Sequence, residues 1–384
     1  MAPSVSVSPD LLAQGRRTLA LYDLAGCPAD CAPTVEPLGD GLINDTFLVS
    51  WPSADPSETS GPSGPSMRAV LQRVHPVFGR AVHDDIEAVT AHLQARGLIT
   101  PRLFRTRDGQ LSVDAGPDGI WRLLSYLPGK SHARMTLPLA HPAGALVGTF
   151  HVAVADLQHR FHHTRPGAHD LTGHVGKLAA AVDNARRPDF QPRESPIPPA
   201  FFPFADTLLS YADRLPLSDA RAAALPRRIC HGDLKLNNLR FDDQDQGICL
   251  LDLDTLAALP LPFELGDALR SWCNPRGEDD GQASFDLPIF QAALHGYADR
   301  ARALVTPAER DSLVAGIERI AFQLAVRFAC DVVGQSYFRW RPDAARHPTR
   351  AAHNLLRAQG QFSLVTAIAA TRSDAEQIVA QLFT

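Results

Sequence analysis

Only three lysines, Lys130, Lys177 and Lys235, occur among 384 residues, and arginine carries the rest of the positive charge. The formal net charge is −5, which leaves no basic footprint for nucleic acid. The six cysteines, at positions 27, 31, 230, 249, 273 and 330, include no Cys-x-x-Cys pair. Neither a zinc site nor a disulfide framework is therefore expected, and a reducing cytoplasm fits. No run of about 18 apolar residues stands out as a membrane span. The N-terminal MAPSVSVSPDLLAQ lacks the basic-then-apolar layout of a signal peptide. No internal repeat is visible. What remains is an ordinary globular composition, 45% hydrophobic and 21% charged, long enough for a large core in two lobes.

In so lysine-poor a chain Lys235 stands out, because it lies in a segment dense in chemistry. Residues 230–238 read Cys-His-Gly-Asp-Leu-Lys-Leu-Asn-Asn, and Asp252 follows within Cys-Leu-Leu-Asp-Leu-Asp. Phosphoryl transfer from ATP needs this inventory: a carboxylate to accept the hydroxyl proton, a cation for the γ-phosphate, and an amide and a second carboxylate to hold Mg²⁺. Asp233 is the candidate base, positioned by geometry more than by an unusual pKa. Lys235 is the flexible point charge. Asn238 and Asp252 are hard oxygen donors suited to Mg²⁺. The five-residue offset from Asp233 selects Asn238, and Asn237 reads as a turn residue. Asp254, two residues beyond Asp252, would share its face on a strand, either as a second metal ligand or as a bracket. His231 reads as a brace of the loop. The bland alternatives, a turn-forming aspartate and a solvated lysine, do not account for the whole set.

Around this segment the pattern is α+β. Residues 9–26 read as a helix, and Thr34–Leu38, Thr46–Trp51 and Arg68–Val74 as strands. The Ser/Pro/Gly-rich stretch Ser53–Ser66 reads as a long mobile hairpin loop. Val82, Ile86, Val89 and Leu93 recur at helical spacing. Leu103–Thr106, Leu111–Val113 and Trp121–Tyr126 read as further strands. Beyond Pro138 helices dominate, over 139–159, 171–186, 200–213, 284–304, 307–337 and 350–370, with short strands near Phe241 and at Ile248–Leu253. A β-rich lobe (1–127) is thus expected before a helical lobe (128–384).

The segments HGDLKLNN and LLDLDT resemble the aminoglycoside phosphotransferase-like small-molecule kinases, and within them the N-acetylhexosamine 1-kinases. Gly41-Leu-Ile-Asn-Asp-Thr-Phe47, Val70-Leu-Gln-Arg73 and Glu264-Leu-Gly-Asp267 are similar to that group's loop, strand and metal segment. Arg327-Phe-Ala-Cys-Asp331, Tyr337-Phe338 and His353-Asn-Leu-Leu-Arg357 echo its last helices. Two departures touch the acceptor: Gly232, where the group usually has Asn, and Phe-Ala-Cys-Asp, where it has Leu-Thr-Asp after its aromatic.

The resemblance implies a bilobal protein-kinase-like fold. It also implies transfer of the ATP γ-phosphate to the anomeric hydroxyl of a hexose or N-acetylhexosamine, with ATP and Mg²⁺ as cofactors. Gly39 and Gly41 would admit the ATP phosphates to the backbone, and Asn44 and Thr46 would cap phosphate oxygens. The strand that normally carries a phosphate-binding lysine has none. Gln72 holds that position by family pattern and Arg73 is the nearest cation; they face opposite ways, and the choice stays open. Asp85 is better oriented than Glu87 as the helix's acidic partner. Tyr126 lies in the stretch Ser125–Pro128 expected to face adenine. Asp267 is implied to hold the catalytic loop. His162, Thr164 and His169, with Arg327, Asp331 and Tyr337, are the candidate acceptor contacts, each with helix packing as its alternative. An aminoglycoside, homoserine or choline-like acceptor, and a non-catalytic nucleotide-binding module, are the competing readings. The expected state is a monomer or homodimer in the cytoplasm, with small molecules as partners and neither nucleic acid nor membrane.

Overall fold

The computed structural model describes residues 8–27, 32–38, 44–52, 66–338, 340, 343 and 346–384. Gly39, Gly41 and the segment 53–65 lie outside the described residues. The chain divides into two compact units, 1–128 with 157–163, and 129–156 with 164–384. The second visit of the chain to the first unit, at 157–163, departs from the single boundary expected. Its cause is Asp85, whose buried carboxylate accepts from the backbone N–H groups of His162 (2.9 Å) and His163 (2.8 Å) and lies 2.7 Å from His159 Nε2.

Helix α1 (Pro9–Leu19) opens the first unit, with Ser8 as N-cap accepting from Leu11 N. An antiparallel sheet follows: β1 (Thr34–Pro37), β2 (Asp45–Pro52), β3 (Ser66–Val74), β4 (Val113–Asp114) and β5 (Ile120–Ser125), in the order β1-β2-β3-β5-β4. Successive side chains on a strand face opposite ways. One face presents Phe47, Val49, Trp51, Leu71, Trp121 and Leu123 to a core shared with Leu19 and Tyr22. The register places Thr46, Gln72 and Arg122 in one row on the other face. Helix α2 (Val82–Ala95) buries Val82, Ile86, Val89 and Leu93, as its spacing predicts.

The expected strand at Leu103–Thr106 reduces to two isolated bridges, Leu103 to Leu124 and Tyr22 to Thr106. A tight turn intervenes: Gly109 N donates to Thr106 O (2.8 Å), and Thr106 Oγ1 accepts from Gln110 N (2.9 Å). Those bonds take the groups a ladder would need, and only Val113–Asp114 remains of the strand expected at Leu111–Val113.

The second unit is built from α3 (Leu137–Val154), α4 (Leu171–Ala185), α5 (Phe201–Tyr211), α6 (Asp219–Ala223), α7 (Leu261–Trp272), α8 (Leu287–Ala301), α9 (Pro307–Arg310), α10 (Leu313–Gly334), α11 (Arg350–Ala370) and α12 (Arg372–Leu382). Two short hairpins interrupt them, β6 (Arg227–Cys230) with β9 (Ala257–Pro260), and β7 (Leu239–Phe241) with β8 (Gly247–Leu250). Helix α3 has the length and apolarity of a membrane span, yet ten of its 18 residues are buried. Its Gly144 and Gly296 of α8 meet across the pair; a Cβ on either would overlap a carbonyl oxygen of the opposite helix. One helix was expected over 307–337. Instead α9 stops after one turn, tied by a capping box between Thr306 and Glu309.

An ion pair between a buried arginine and a half-buried aspartate fastens α4, α6 and α10. Arg319 is fully buried; it donates to Leu217 O and His169 O (both 2.9 Å) and pairs with Asp219. Asp219 also accepts from Thr172 N (3.0 Å) and Thr172 Oγ1 (2.6 Å). Burial opposes its charge, but Thr172 and Arg319 prevail and bring its carboxyl down to about 2. Asp219→Ala leaves Arg319 buried without its carboxylate. We expect a loss of about 2–4 kcal/mol by denaturant titration, less than for a wholly buried pair because Asp219 keeps some solvent contact. The stabilisation is complete above the ordinary aspartate value of 3.8 and fades as pH falls toward about 2. The variant should therefore show its deficit at neutral pH.

Candidate active site

The segment 230–238 leaves β6 at Cys230 and is gripped by α7. Glu264, buried in the first turn of α7, accepts from His231 N (2.7 Å) and Gly232 N (2.8 Å) through its two oxygens. A carboxylate is well placed near a helix N-terminus. One and two turns further on, Asp267 accepts from Leu234 N (3.2 Å) and Trp272 Nε1 donates to Leu234 O (2.8 Å). Arg270 fixes Asp267 at 2.7 Å and reaches Glu278 at 3.0 Å. Gly232 has φ of +80°, and a Cβ there would overlap the carbonyl oxygen of Thr255. The departure from Asn is thus built into the packing of this loop.

His231 is fully buried and braces the loop from inside. Its Nε2 lies 2.7 Å from Leu251 O, and its Nδ1 accepts from Asp233 N at 3.3 Å. These partners call for the tautomer protonated on Nε2. Asp233 Oδ2 lies 2.9 Å from Lys235 Nζ. Asn238 Nδ2 donates to Asp233 O (2.8 Å) and Asp233 Oδ2 (3.3 Å), so the amide's oxygen is its end left for a ligand. Leu251 N donates to Asn238 O (2.7 Å), which brings the stretch before Asp252 alongside Asn238.

Asp252 is exposed and left-handed, with φ 58° and ψ 62°. Strand β8 has already ended at Leu250, and residues 253–255 form a 3₁₀ turn. Asp252 and Asp254 therefore do not share a strand face as expected: Asp254 turns inward and is buried. Asparagine and aspartate adopt the left-handed region more readily than other side chains.

Burial raises the Asp233 carboxyl above the ordinary aspartate value; Lys235 draws it down and Asp267 pushes it up. Burial works against the Lys235 charge, but Asp233 outweighs it and the ammonium is held more firmly than in water.

The candidate acceptor residues separate. His162 falls in the first unit, 3.3 Å from Asp85 Oδ1. His169 lies in the second unit, its ring tilted against Phe263 with centroids 5.1 Å apart. Burial lowers the His169 imidazole to about 4, so it is neutral at pH 7, and its buried Nδ1 has no partner among the described residues. Arg327 donates to Tyr337 Oη (3.1 Å) and lies over the Tyr337 and Phe338 rings. Among the described residues no carboxylate pairs with Arg327. Asp331 has a different task from the contact expected of it. Its oxygens accept from the N–H groups of Ser336, Tyr337 and Phe338 and from Asn354 Nδ2, all within 2.9–3.0 Å. It shapes the turn that carries Tyr337.

In the first unit, Asn44 Oδ1 accepts from His75 N (2.9 Å), clasping the start of β2 to the end of β3. Arg73 pairs with Asp45 at 2.7 Å. Gln72 lies on the opposite face and bonds Thr46 and Arg122. Glu87 pairs with Arg102 and Arg105. Tyr126 lies beneath the Arg68 guanidinium, 4.2 Å from the ring centroid. Neither Glu264 nor Arg122 had a role readable in the sequence. Glu264 was visible only as part of a motif, and Arg122 only through its register with Gln72.

The class of protein follows from this loop and its setting. A profile of the phosphotransferase enzyme family matches residues 34–304, and the chain belongs to that family. It is 27% identical over 237 residues to a homoserine kinase of Granulibacter bethesdensis, a match spanning 61% of this chain and 65% of that relative's length. A choline/ethanolamine kinase family protein from Mesorhizobium loti is similar in structure (TM-score 0.56, 15% identity, 97% of this chain and 99% of the other). So is an amicoumacin kinase in complex with AMP-PNP and Ca²⁺ (TM-score 0.54, 11% identity, 97% and 94%). These likenesses establish a protein-kinase-like fold, and fold alone does not specify an acceptor.

Proposed function

We propose that the protein is an ATP-dependent phosphotransferase acting on an alcohol, and that its acceptor is the anomeric hydroxyl of a hexose or N-acetylhexosamine. The observation that carries the reading is the contact of Asp233 with Lys235 and Asn238 on a loop held by Glu264 and Asp267. Asp233 takes the proton of the acceptor hydroxyl as that oxygen attacks the γ-phosphorus. The bond from phosphorus to the β,γ-bridging oxygen breaks, ADP leaves, and Asp233 passes its proton to water. Lys235 offsets charge on the transferring phosphoryl group. The oxygen of Asn238 and the exposed carboxylate of Asp252 suit Mg²⁺, with Asp254 as a candidate third ligand. When bound, that ion would neutralise charge on the phosphate oxygens. Asn44, Thr46, Gln72, Arg73 and Tyr126, with Gly39 and Gly41, are the candidate nucleotide contacts. His169, Arg327 and Tyr337 are the candidate acceptor contacts, and a neutral His169 suits a sugar hydroxyl.

A second reading, homoserine as acceptor, is favoured by the homoserine kinase relative and by Arg327, which suits a carboxylate and disfavours a choline-like cation. The two separate on product chemistry. A free N-acetylhexosamine should be phosphorylated on its anomeric oxygen, shown by ³¹P–¹H correlation, and its 1-O-methyl glycoside should be inert. Phosphorylation of the methyl glycoside would sink the 1-kinase reading. Turnover of homoserine with every sugar silent would establish the second.

A further inference from the structure

Asp85 is a buried carboxylate with no strong cation beside it. Its side chain is 1% exposed, and it accepts from the backbone N–H groups of His162 (2.9 Å) and His163 (2.8 Å). Its other partners are two imidazoles. His159 Nε2 lies 2.7 Å from Oδ1, and His162 Nδ1 lies 3.3 Å from the same oxygen. Among the described residues no arginine or lysine pairs with Asp85. Buried charges are paired or bind metal ions, and neutral imidazoles supply no charge. The three donor atoms lie within 4.8 Å of one another, and all belong to the first unit. Ligands bonded to a tetrahedral zinc ion at about 2.0–2.2 Å stand roughly 3.3–3.5 Å apart. The His162 pair already has that separation, and the His159 pair needs to open only slightly. The two rings are inclined at 69° to each other and bring different nitrogens to one oxygen. His162 is 59% exposed, so an ion can reach the site from solvent and keep a water as a further ligand.

We propose that Asp85, His159 and His162 form a binding site for a divalent transition-metal ion of the zinc class, which clamps the segment 157–163 to α2. Two imidazole nitrogens with one carboxylate are a donor set of zinc and non-haem iron(II) sites, whereas Mg²⁺ and Ca²⁺ take oxygen. Each ring binds as a neutral imidazole and carries its proton on the nitrogen away from the ion. The ion thereby compensates the charge that Asp85 buries. The site differs in sequence position and in donor type from Asn238, Asp252 and Asp254, whose oxygens suit Mg²⁺. The proposal stands independently of the phosphotransferase reading.

The test is calorimetric titration of Zn²⁺ into the full chain in excess Mg²⁺, which keeps oxygen-donor sites occupied. We expect one tightly bound equivalent and a raised Tm. His162→Gln is the deciding variant, because the side chain is exposed and the backbone bond to Asp85 survives the change. Losing a residue that only orients a metal ligand costs about 10–100-fold in metal affinity. Losing a ligand itself, in H162Q or in His159→Gln, should cost at least as much. His295→Gln is the control. His295 and His141 flank Asp299 at 3.6 and 2.9 Å, a similar trio whose carboxylate is exposed. H295Q should leave the Zn²⁺ affinity and the Tm shift unchanged. If H159Q failed to fold, H162Q would decide. Wild-type Zn²⁺ affinity in H162Q, an equal or greater loss in H295Q, or no Zn²⁺ binding by the unaltered protein would each overturn the proposal.

Discussion

Asp233→Asn is expected to lower turnover by roughly 10²–10⁴-fold while leaving MgATP affinity close to wild type. The substitution is isosteric. Asparagine retains an oxygen for the bonds that Asp233 makes to Lys235 and to Asn238 Nδ2, and the backbone of the loop stays pinned to Glu264 and Asp267. What is lost is the proton acceptor. The same residue predicts the acid limb of the pH–rate profile. Only ionised Asp233 is competent, and burial raises its carboxyl above the ordinary 3.8. Activity should therefore begin to fall at a pH higher than a solvated aspartate would give. Lys235 draws the carboxyl down, so Lys235→Ala should move that limb further up in addition to slowing transfer. Near-wild-type turnover in Asp233→Asn would show that another group takes the proton.

Asp252→Ala should weaken Mg²⁺-dependent ATP binding and transfer together, with kcat/KM reduced by about 10²–10³-fold. The left-handed backbone at Asp252 projects an exposed carboxylate, while Leu251 N on Asn238 O ties its neighbour to the other candidate ligand. Alanine in the left-handed region costs of order 1 kcal/mol, too little to account for such a loss. Calorimetric titration of MgATP into the variant separates the alternatives. Tight binding that survives would make Asp254 the principal ligand, despite its burial in the turn.

The contacts of the 230–238 loop were readable because they are local. Asp233, Lys235 and Asn238 lie within six residues, and the structure brings all three into contact. The grip on that loop was not readable to the same degree. Helix α7, which begins Leu-Pro-Phe-Glu and contains Gly266, was not among the expected helices. Pro262 nevertheless sits in the first turn, where no N–H is needed, and Gly266 permits close packing on Gly316 of α10. Arg122 was hidden for another reason. Its meaning lies in a register with Gln72 fifty residues away, and neither strand announces the pairing. Asp331 is a candidate acceptor contact with helix packing as its alternative; its bonds are to the turn that follows its helix, which a carboxylate near a helix end satisfies as readily as a ligand. At Asp254 the error was in the period: a strand alternation was applied where the chain had already entered a 3₁₀ turn.

The central claim is that this chain transfers phosphate from ATP to an alcohol through Asp233. The most direct measurement is ADP release by the purified protein with MgATP and each of a panel of free sugars, N-acetylhexosamines, homoserine and amino alcohols, followed by ³¹P spectroscopy of the product. The account predicts stoichiometric ADP and a phosphate monoester for at least one acceptor, both lost in Asp233→Asn. No acceptor-dependent ADP with any member of the panel, or equal product from Asp233→Asn, would contradict it.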